Sequence, residues 1–362
     1  MRSLSVLGHL GGQLGRLCDV LDMDQATPVD LLTGLLGVHG SRPLSDPPAW
    51  PSDIADDHSP VEFSVAYNDN EPPALRILAE VLGPAPGVRA NMSATYNFLD
   101  SQSARFGLST KRLDSVRDLF ATEHPQGVFG LWCSLVFRSG RQPEFKVYLN
   151  AELEGPDRAP ELVAAALQRL GLGRSYRKML KHAVRPGELG NLDRLTFFAL
   201  DLHDGPQARV KLYLTHHHAD ARDVARAAGM IDGVDRAEIA VFCALAGATG
   251  RFDGRPLVGS YTLTERAAKP VGYSIYVPIR SYVADDQEAR ARVLPLLDRY
   301  RFDRTAFDRA IDAVAGRPLA DGVGLIAHVS LRMGPPRPGL TVYLSAEAYE
   351  VCPPRSLQVP AA

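Results

Sequence analysis

Only four cysteines, Cys18, Cys133, Cys243 and Cys352, occur in 362 residues, and none forms a Cys-x-x-Cys pair. This spacing points to neither a zinc site nor a disulfide framework, and the thiols read as small buried hydrophobes. No apolar run approaches the ~18 residues needed to cross a bilayer. The start, Met1-Arg2-Ser3-Leu4 and the Gly-rich amphipathic stretch after it, lacks the apolar core and small-residue cleavage site of a signal peptide, so a cytoplasmic location is expected. There is little excess charge: 40 basic against 42 acidic residues leave a formal −2, and no global field draws the chain to nucleic acid or membrane. With 45% hydrophobic and 23% charged residues, the composition is that of a globular protein with ample core material.

What the chain does have is a repeated strand signature. Phe145-Lys146-Val147-Tyr148-Leu149, Arg209-Val210-Lys211-Leu212-Tyr213-Leu214, Tyr273-Ser274-Ile275-Tyr276-Val277 and Leu340-Thr341-Val342-Tyr343-Leu344 each carry a tyrosine, usually with a cation, on one face. Strand side chains alternate with period two, so Lys146 and Tyr148 share a face, as do Arg209, Lys211 and Tyr213; the intervening aliphatics point the other way. The four tyrosines recur about every 65 residues, the mark of one supersecondary unit repeated around a single site.

Strand pairs alternate with helical stretches. The first pair, residues 61–67 and 74–81, turns through Asn68-Asp69-Asn70-Glu71-Pro72-Pro73. The second, 128–137 and 144–152, crosses Arg138-Ser139-Gly140-Arg141, and the third, 194–202 and 208–215, crosses His203-Asp204-Gly205-Pro206. A fourth spans 257–264 and 271–279, and a fifth, 323–332 and 339–346, is hinged at Gly334-Pro335-Pro336-Arg337-Pro338. Helices are expected at 110–120, with Leu113, Val116 and Phe120 on one stripe, at 159–182 with a break at Gly171-Leu172-Gly173, at 219–245 and at 285–315. The acidic residues near Asp285 read as a solvated face. His216-His217-His218 reads as a polar turn, because adjacent strand residues face opposite ways and chelate poorly. Trp50 and Trp132 read as packing residues.

Short turns make each pair antiparallel, and the helices must cover the apolar strand faces. Ten strands closed into a barrel enclose more space than side chains fill, since about eight is the size that packs shut. The lumen would then gather Glu62, Arg76, Lys146, Tyr148, Arg209, Lys211, Tyr213, Ser274, Tyr276, Arg332 and Tyr343. Five of these are cations, tolerable together only around a highly charged anion. A diphosphate fits, held by guanidinium forks and ammonium point charges. Tyrosine faces stabilise a passing cation by roughly 0.5 to 2 kcal/mol per contact and exclude the water that would quench it. Diphosphate binding and carbocation shelter together describe prenyl transfer to an aromatic ring.

On these segments the chain resembles the aromatic prenyltransferases of the dimethylallyltryptophan synthase type, from about residue 60 to 349. Pro60-Val61-Glu62-Phe63-Ser64 is similar to the family segment whose glutamate accepts a hydrogen bond from the indole N–H. Leu75-Arg76-Ile77, Phe145-Lys146-Val147-Tyr148, Arg209-Val210-Lys211-Leu212-Tyr213, Ser274-Ile275-Tyr276, Ser330-Leu331-Arg332 and Val342-Tyr343 resemble its diphosphate ligands and tyrosine shield. Arg-x-Lys-x-Tyr is the most specific of these. The resemblance implies an α+β, single-domain fold of five αββα repeats forming a ten-stranded antiparallel β-barrel with helices outside, over residues 59–350, after a helical segment 1–58 and before a tail 351–362. It implies Glu62 as the catalytic residue, with Arg76, Lys146, Arg209, Lys211, Ser274 and Arg332 on the diphosphate and Tyr148, Tyr213, Tyr276 and Tyr343 around the cation. The donor would be dimethylallyl diphosphate and the acceptor an indole, L-tryptophan or a tryptophan-derived molecule, with no metal or other cofactor, in a monomer or homodimer.

The compact length and short loops resemble a bacterial member. Ser274 stands where fungal members tend to have glutamine and Asn150 where some have tyrosine, and no further shield tyrosine stands near His328. Asp-Asp-x-x-Asp does not occur; Asp56-Asp57-His58 and Asp285-Asp286-Gln287-Glu288 do not fit it. Three other readings share the lining: a triphosphate-tunnel-like phosphohydrolase, which needs a Glu-x-Glu-x-Lys pattern absent here; a non-catalytic carrier of anionic or aromatic ligands; and a prenyltransferase of phenolic acceptors.

Overall fold

A computed structural model describes residues 4–69, 71–205, 207–334 and 338–355. Parts of three expected turns, at Asn70, Pro206 and Pro335-Pro336-Arg337, lie outside the described residues, as do Met1-Arg2-Ser3 and the end of the expected tail. Among the described residues the five hairpins supply β1 Val61–Asn68, β2 Glu71–Ala79, β3 Leu131–Phe137, β4 Glu144–Asn150, β5 Asp193–Asp201, β6 Val210–His216, β7 Leu257–Leu263, β8 Gly272–Val277, β9 Ile326–Met333 and β10 Gly339–Ser345. Each strand pairs antiparallel with its neighbours in sequence, and β1 pairs with β10 to close the barrel. All hairpin tips therefore stand at one end, and all helical connections leave from the other.

The helices are α1 Val6–Val20, α2 Ala26–Leu36, α3 Val88–Phe106, α4 Lys111–Asp114, α5 Ala159–Arg169, α6 Gly173–Ala183, α7 Ala221–Ala228, α8 Arg236–Gly247, α9 Asp286–Tyr300 and α10 Arg304–Val314. Asp220, Asp235, Asp285 and Asp303 each accept first-turn backbone N–H bonds at the start of a helix, and Asp220 forms a capping box with Asp223. The core lies between the helices and the outer face of the sheet. There Phe63, Val65, Leu75, Ile77, Cys133, Leu135 and Val147 are at most 1% exposed. Cys18, Cys133 and Cys243 are buried and Cys352 is partly so, all as free thiols.

Three sequence expectations need correction. The stripe at Leu113, Val116 and Phe120 is fully buried, but on one short helical turn, α4, and a 3-10 turn; the long helix of this region is α3, which precedes it. Its periodicity is hidden by Asn91 and Thr95, polar residues on the buried face: the Asn91 amide donates to Glu80 (3.2 Å), and the Thr95 hydroxyl donates to the Asn91 carbonyl (2.9 Å). Nor is the triple histidine simply a polar turn. His216 ends β6 at 1% exposure, with Nδ1 2.8 Å from Asp193 Oδ1, and Asp193 also accepts from the Arg185 backbone N–H (2.7 Å) and Nε (2.9 Å).

The acidic start of α9 is not wholly solvated either. Asp286 is 0% exposed and accepts backbone N–H bonds from Gly324 (3.1 Å), Leu325 (3.1 Å) and Ile326 (2.9 Å) and a guanidinium bond from Arg317 (2.6 Å). One carboxylate thus fixes the entry of β9, the strand carrying His328 and Arg332. Asp286→Ala strands these donors and should destabilise the protein by about 3 kcal/mol; a loss under about 1 kcal/mol in urea unfolding would show that the entry of β9 is held some other way.

Candidate active site

The barrel register carries one inward face around the cylinder. Ser64 lies opposite Arg76, Ser134 opposite Lys146, Lys146 opposite Asp201, and Ser274 opposite Arg332. Nearer the helical end, Glu62 lies opposite Leu78, Trp132 opposite Tyr148, and Tyr343 opposite His328. Alternation within strands and register between them therefore sort the lumen into layers along the barrel axis.

Two cavities follow from these layers. At the hairpin end a cavity of about 470 Å³ is lined by Arg76, Lys146, Arg209, Lys211, Ser274 and Arg332, all six residues expected to hold diphosphate. Toward the helical end a second, of about 270 Å³, is lined by Glu62, Leu78, Trp132, Phe197, Arg280 and His328 among others. Tyr148, Tyr213, Tyr276 and Tyr343 line both. Their ring centroids follow one another at 5.7, 5.8 and 6.0 Å, an arc that divides the lumen. Burial holds the Tyr213 and Tyr343 phenols well above their ordinary pKa and pushes Tyr148 up to about 12, so these three stay neutral and offer ring faces.

The cation layer contains a carboxylate that the sequence reading missed. Asp201, 4% exposed, stands 3.3 Å from Lys146 Nζ and accepts from Arg209 Nε at 2.6 Å. Burial opposes its charge, but Lys146 and Arg209 outweigh burial and hold the carboxyl far below its ordinary range. Lys146 is pushed down to about 8 by burial despite this partner. Lys211 has no ion pair among the described residues; burial first, then Lys146, Arg209 and Arg76, drive it well below its ordinary value. Arg332 donates to Asn68 Oδ1 at 3.2 Å, and the Arg76 Nε is buried without a hydrogen-bond partner among the described residues. A polyanion placed here would raise both lysines back toward their ordinary values.

In the other cavity, burial raises Glu62 to about 8, Asp56 reinforcing and Arg280 opposing the shift. Burial, then Arg280 and Arg255, hold the His328 imidazole neutral, edge-on to Tyr343 at 6.1 Å. Trp132 packs as expected, stacked on Phe129 at 3.9 Å with Phe197 at 5.5 Å, and it also lines the lumen. Asn150 forms no part of the arc; its amide donates to the Phe129 carbonyl at 2.9 Å. At the mouth, Asp56 pairs with Arg255 (2.7 Å) and Arg280 (3.0 Å), bringing the segment before β1 over the opening. Period-two spacing marks Trp132 and Ser134 as sharing a face in β3, whereas no local signal brings Asp53, Arg255 and Arg280 together. Among the described residues no group of three or more His, Cys, Asp or Glu side chains could hold a metal ion, and no helix is long and apolar enough to cross a membrane.

A cationic pocket and an aromatic-walled pocket, divided by an arc of tyrosine rings inside a closed barrel, define an aromatic prenyltransferase. The tryptophan dimethylallyltransferase family matches residues 31–308. A 6-dimethylallyl tryptophan synthase structure is 69% identical with a TM-score of 0.95, covering 98% of this chain and 99% of its own. The 6-dimethylallyltryptophan synthase from Micromonospora olivasterospora, in complex with DMASPP and Trp, is 70% identical with a TM-score of 0.94, over 97% and 100%. A 5-dimethylallyl tryptophan synthase from Streptomyces coelicolor is 34% identical with a TM-score of 0.89, over 99% and 100%. The chain belongs to the tryptophan dimethylallyltransferase family, and the phosphohydrolase and carrier readings fall with that membership.

Because the lysines are depressed in the free protein, donor binding should take up protons. At pH 8, calorimetry of pyrophosphate binding in buffers of different ionisation enthalpy should show net uptake. Lys211→Ala should lose part of it and weaken binding more than ~10-fold; zero uptake in the unaltered protein would mean that its lysines are already charged.

Proposed function

We propose that this protein transfers the dimethylallyl group of dimethylallyl diphosphate to carbon 6 of free L-tryptophan, without a metal ion. The carrying observation is the tyrosine arc between a cation-lined cavity and a cavity holding Glu62. Arg76, Lys146, Arg209, Lys211, Ser274 and Arg332 receive the diphosphate as the allylic C–O bond ionises, and their charge favours the leaving group as it separates. Ser134 and Thr341, also on the lining, add hydroxyl donors. Tyr148, Tyr213, Tyr276 and Tyr343 present their faces to the allylic cation and keep water from it. The indole ring carbon then forms the new C–C bond and loses its proton, leaving prenylated tryptophan, diphosphate and a proton.

Glu62 accepts the indole N–H, which fixes the ring and adds electron density to it. Position 6 rests on the two relatives near 70% identity, whose names state that position; the 5-dimethylallyl enzyme, at 34%, shares the barrel. Free tryptophan is supported by the mouth: Asp53, Arg255 and Arg280 line the acceptor cavity and match an ammonium and a carboxylate. NMR of the product from tryptophan and dimethylallyl diphosphate in EDTA decides the proposal; an alkyl group elsewhere on the ring, or no product until metal is added, refutes it.

Two variants test the residue roles. A carboxylate raised to about 8 becomes a better N–H acceptor as pH rises through that value, so kcat/KM for tryptophan should rise toward pH 8. Glu62→Gln should flatten this limb and lower kcat/KM about 10- to 100-fold; full turnover in that variant would remove Glu62 from the mechanism. Arg255→Ala should raise KM for tryptophan about 10-fold while leaving tryptamine unchanged; equal losses for both would mean that Arg255 does not read the carboxylate.

A further inference from the structure

Outside the barrel, α3 and the segment that follows α4 enclose a separate cavity of about 340 Å³. Met92, Tyr96, Phe120 and Leu153 form its apolar side, and Arg89 and Arg117 stand on its rim. Tyr96 is 7% exposed, and its hydroxyl is buried without a hydrogen-bond partner among the described residues. Such an orphaned hydroxyl costs about 1 to 3 kcal/mol unless something fills its need. The Arg117 guanidinium lies over the Tyr96 ring, 3.7 Å from its centroid, and neither Arg117 nor Arg89 forms an ion pair among the described residues. A buried phenol and two arginines without acidic partners, beside an apolar floor, suit a carboxylate on an apolar body. Glu123, also on the lining, would suit an ammonium beside that carboxylate.

The groove shares a wall with the catalytic chamber. A Cβ at Gly130 would fall 2.2 Å from Met92 Sδ, so the groove floor presses directly on the backbone beside Phe129. Phe129 in turn stacks on Trp132 at 3.9 Å. On the groove's far side the Leu153 carbonyl accepts from Gln126 N–H at 2.8 Å, and Gln126 and Phe129 both line the chamber mouth. We propose that this outer groove is an accessory site for a small carboxylate with an aromatic or aliphatic body, and that its occupancy acts on the acceptor chamber through residues 121–130. Binding here does not depend on the reaction assigned to the barrel, and only the coupling does.

The test titrates the full chain with 3-phenylpropanoate and, separately, with L-phenylalanine by calorimetry. Affinity for 3-phenylpropanoate should fall about 10-fold in Arg117→Ala and in Arg89→Ala, and several-fold in Tyr96→Phe, which keeps the ring and removes only the hydroxyl. It should be unchanged in Glu62→Gln and Arg255→Ala. If L-phenylalanine binds more tightly and loses that advantage in Glu123→Gln, the site takes amino acids; if not, it takes simple carboxylates. For the coupling, 3-phenylpropanoate should change KM for tryptophan in the unaltered enzyme and lose that effect in Arg117→Ala. Affinity insensitive to all three groove variants, sensitivity confined to Arg255→Ala or Glu62→Gln, or no binding at 10 mM (roughly the weakest useful affinity) would each overturn the site. An effect on KM that persists in Arg117→Ala would overturn the coupling.

Discussion

A lysine buried without a carboxylate sheds its proton unless an anion arrives to hold it, and the barrel lumen places Lys211 under that constraint. Asp201 partly balances Lys146 and Arg209, yet Lys211 lines the same cavity with no ion pair among the described residues. The cluster exists because antiparallel closure turns every polar strand face inward while the helices cover the apolar faces. A structural role alone would favour neutral side chains at these positions. The cluster suits an anionic ligand, and closure of the barrel is what buries it.

The tyrosine arc converts that charge into selectivity along one axis. Its four rings stand between the cations on one side and the Glu62, Trp132 and Phe197 wall on the other. In the proposed reaction, ionisation belongs to the cationic side of this aromatic layer and capture to the other. On the acceptor side a segment that precedes the barrel in sequence reaches the mouth through ionic contacts, Asp56 to Arg255 and Arg280. Anchors far from the chemistry, such as Asp286 under the start of β9, matter because a strand displaced at its entry carries its inward side chains with it.

Much of this was legible in sequence because strands announce themselves with period two. Lys146 with Tyr148 and Arg209 with Lys211 and Tyr213 declare a shared face whatever their partners are, and the hairpin turns declare antiparallel pairing. Helical periodicity failed where polar residues were buried for a local reason, as with Asn91 and Thr95 in α3. Likewise, an aspartate at a helix start reads as solvated until backbone donors from residues nearly forty positions away are seen to converge on it, as they do on Asp286.

By itself the sequence determined the hairpins, the face each cation and tyrosine occupies, and hence a cationic and phenolic lining. These are local consequences of alternation and turn chemistry. Tertiary structure alone decided which layer each residue occupies, that Asp201 meets Lys146 across β4 and β5, that Trp132 lines the same cavity as Glu62, and that Asp53, Arg255 and Arg280 share a mouth. Register and loop closure bring together groups separated by more than two hundred residues, and no periodicity within a segment encodes the depth at which they meet.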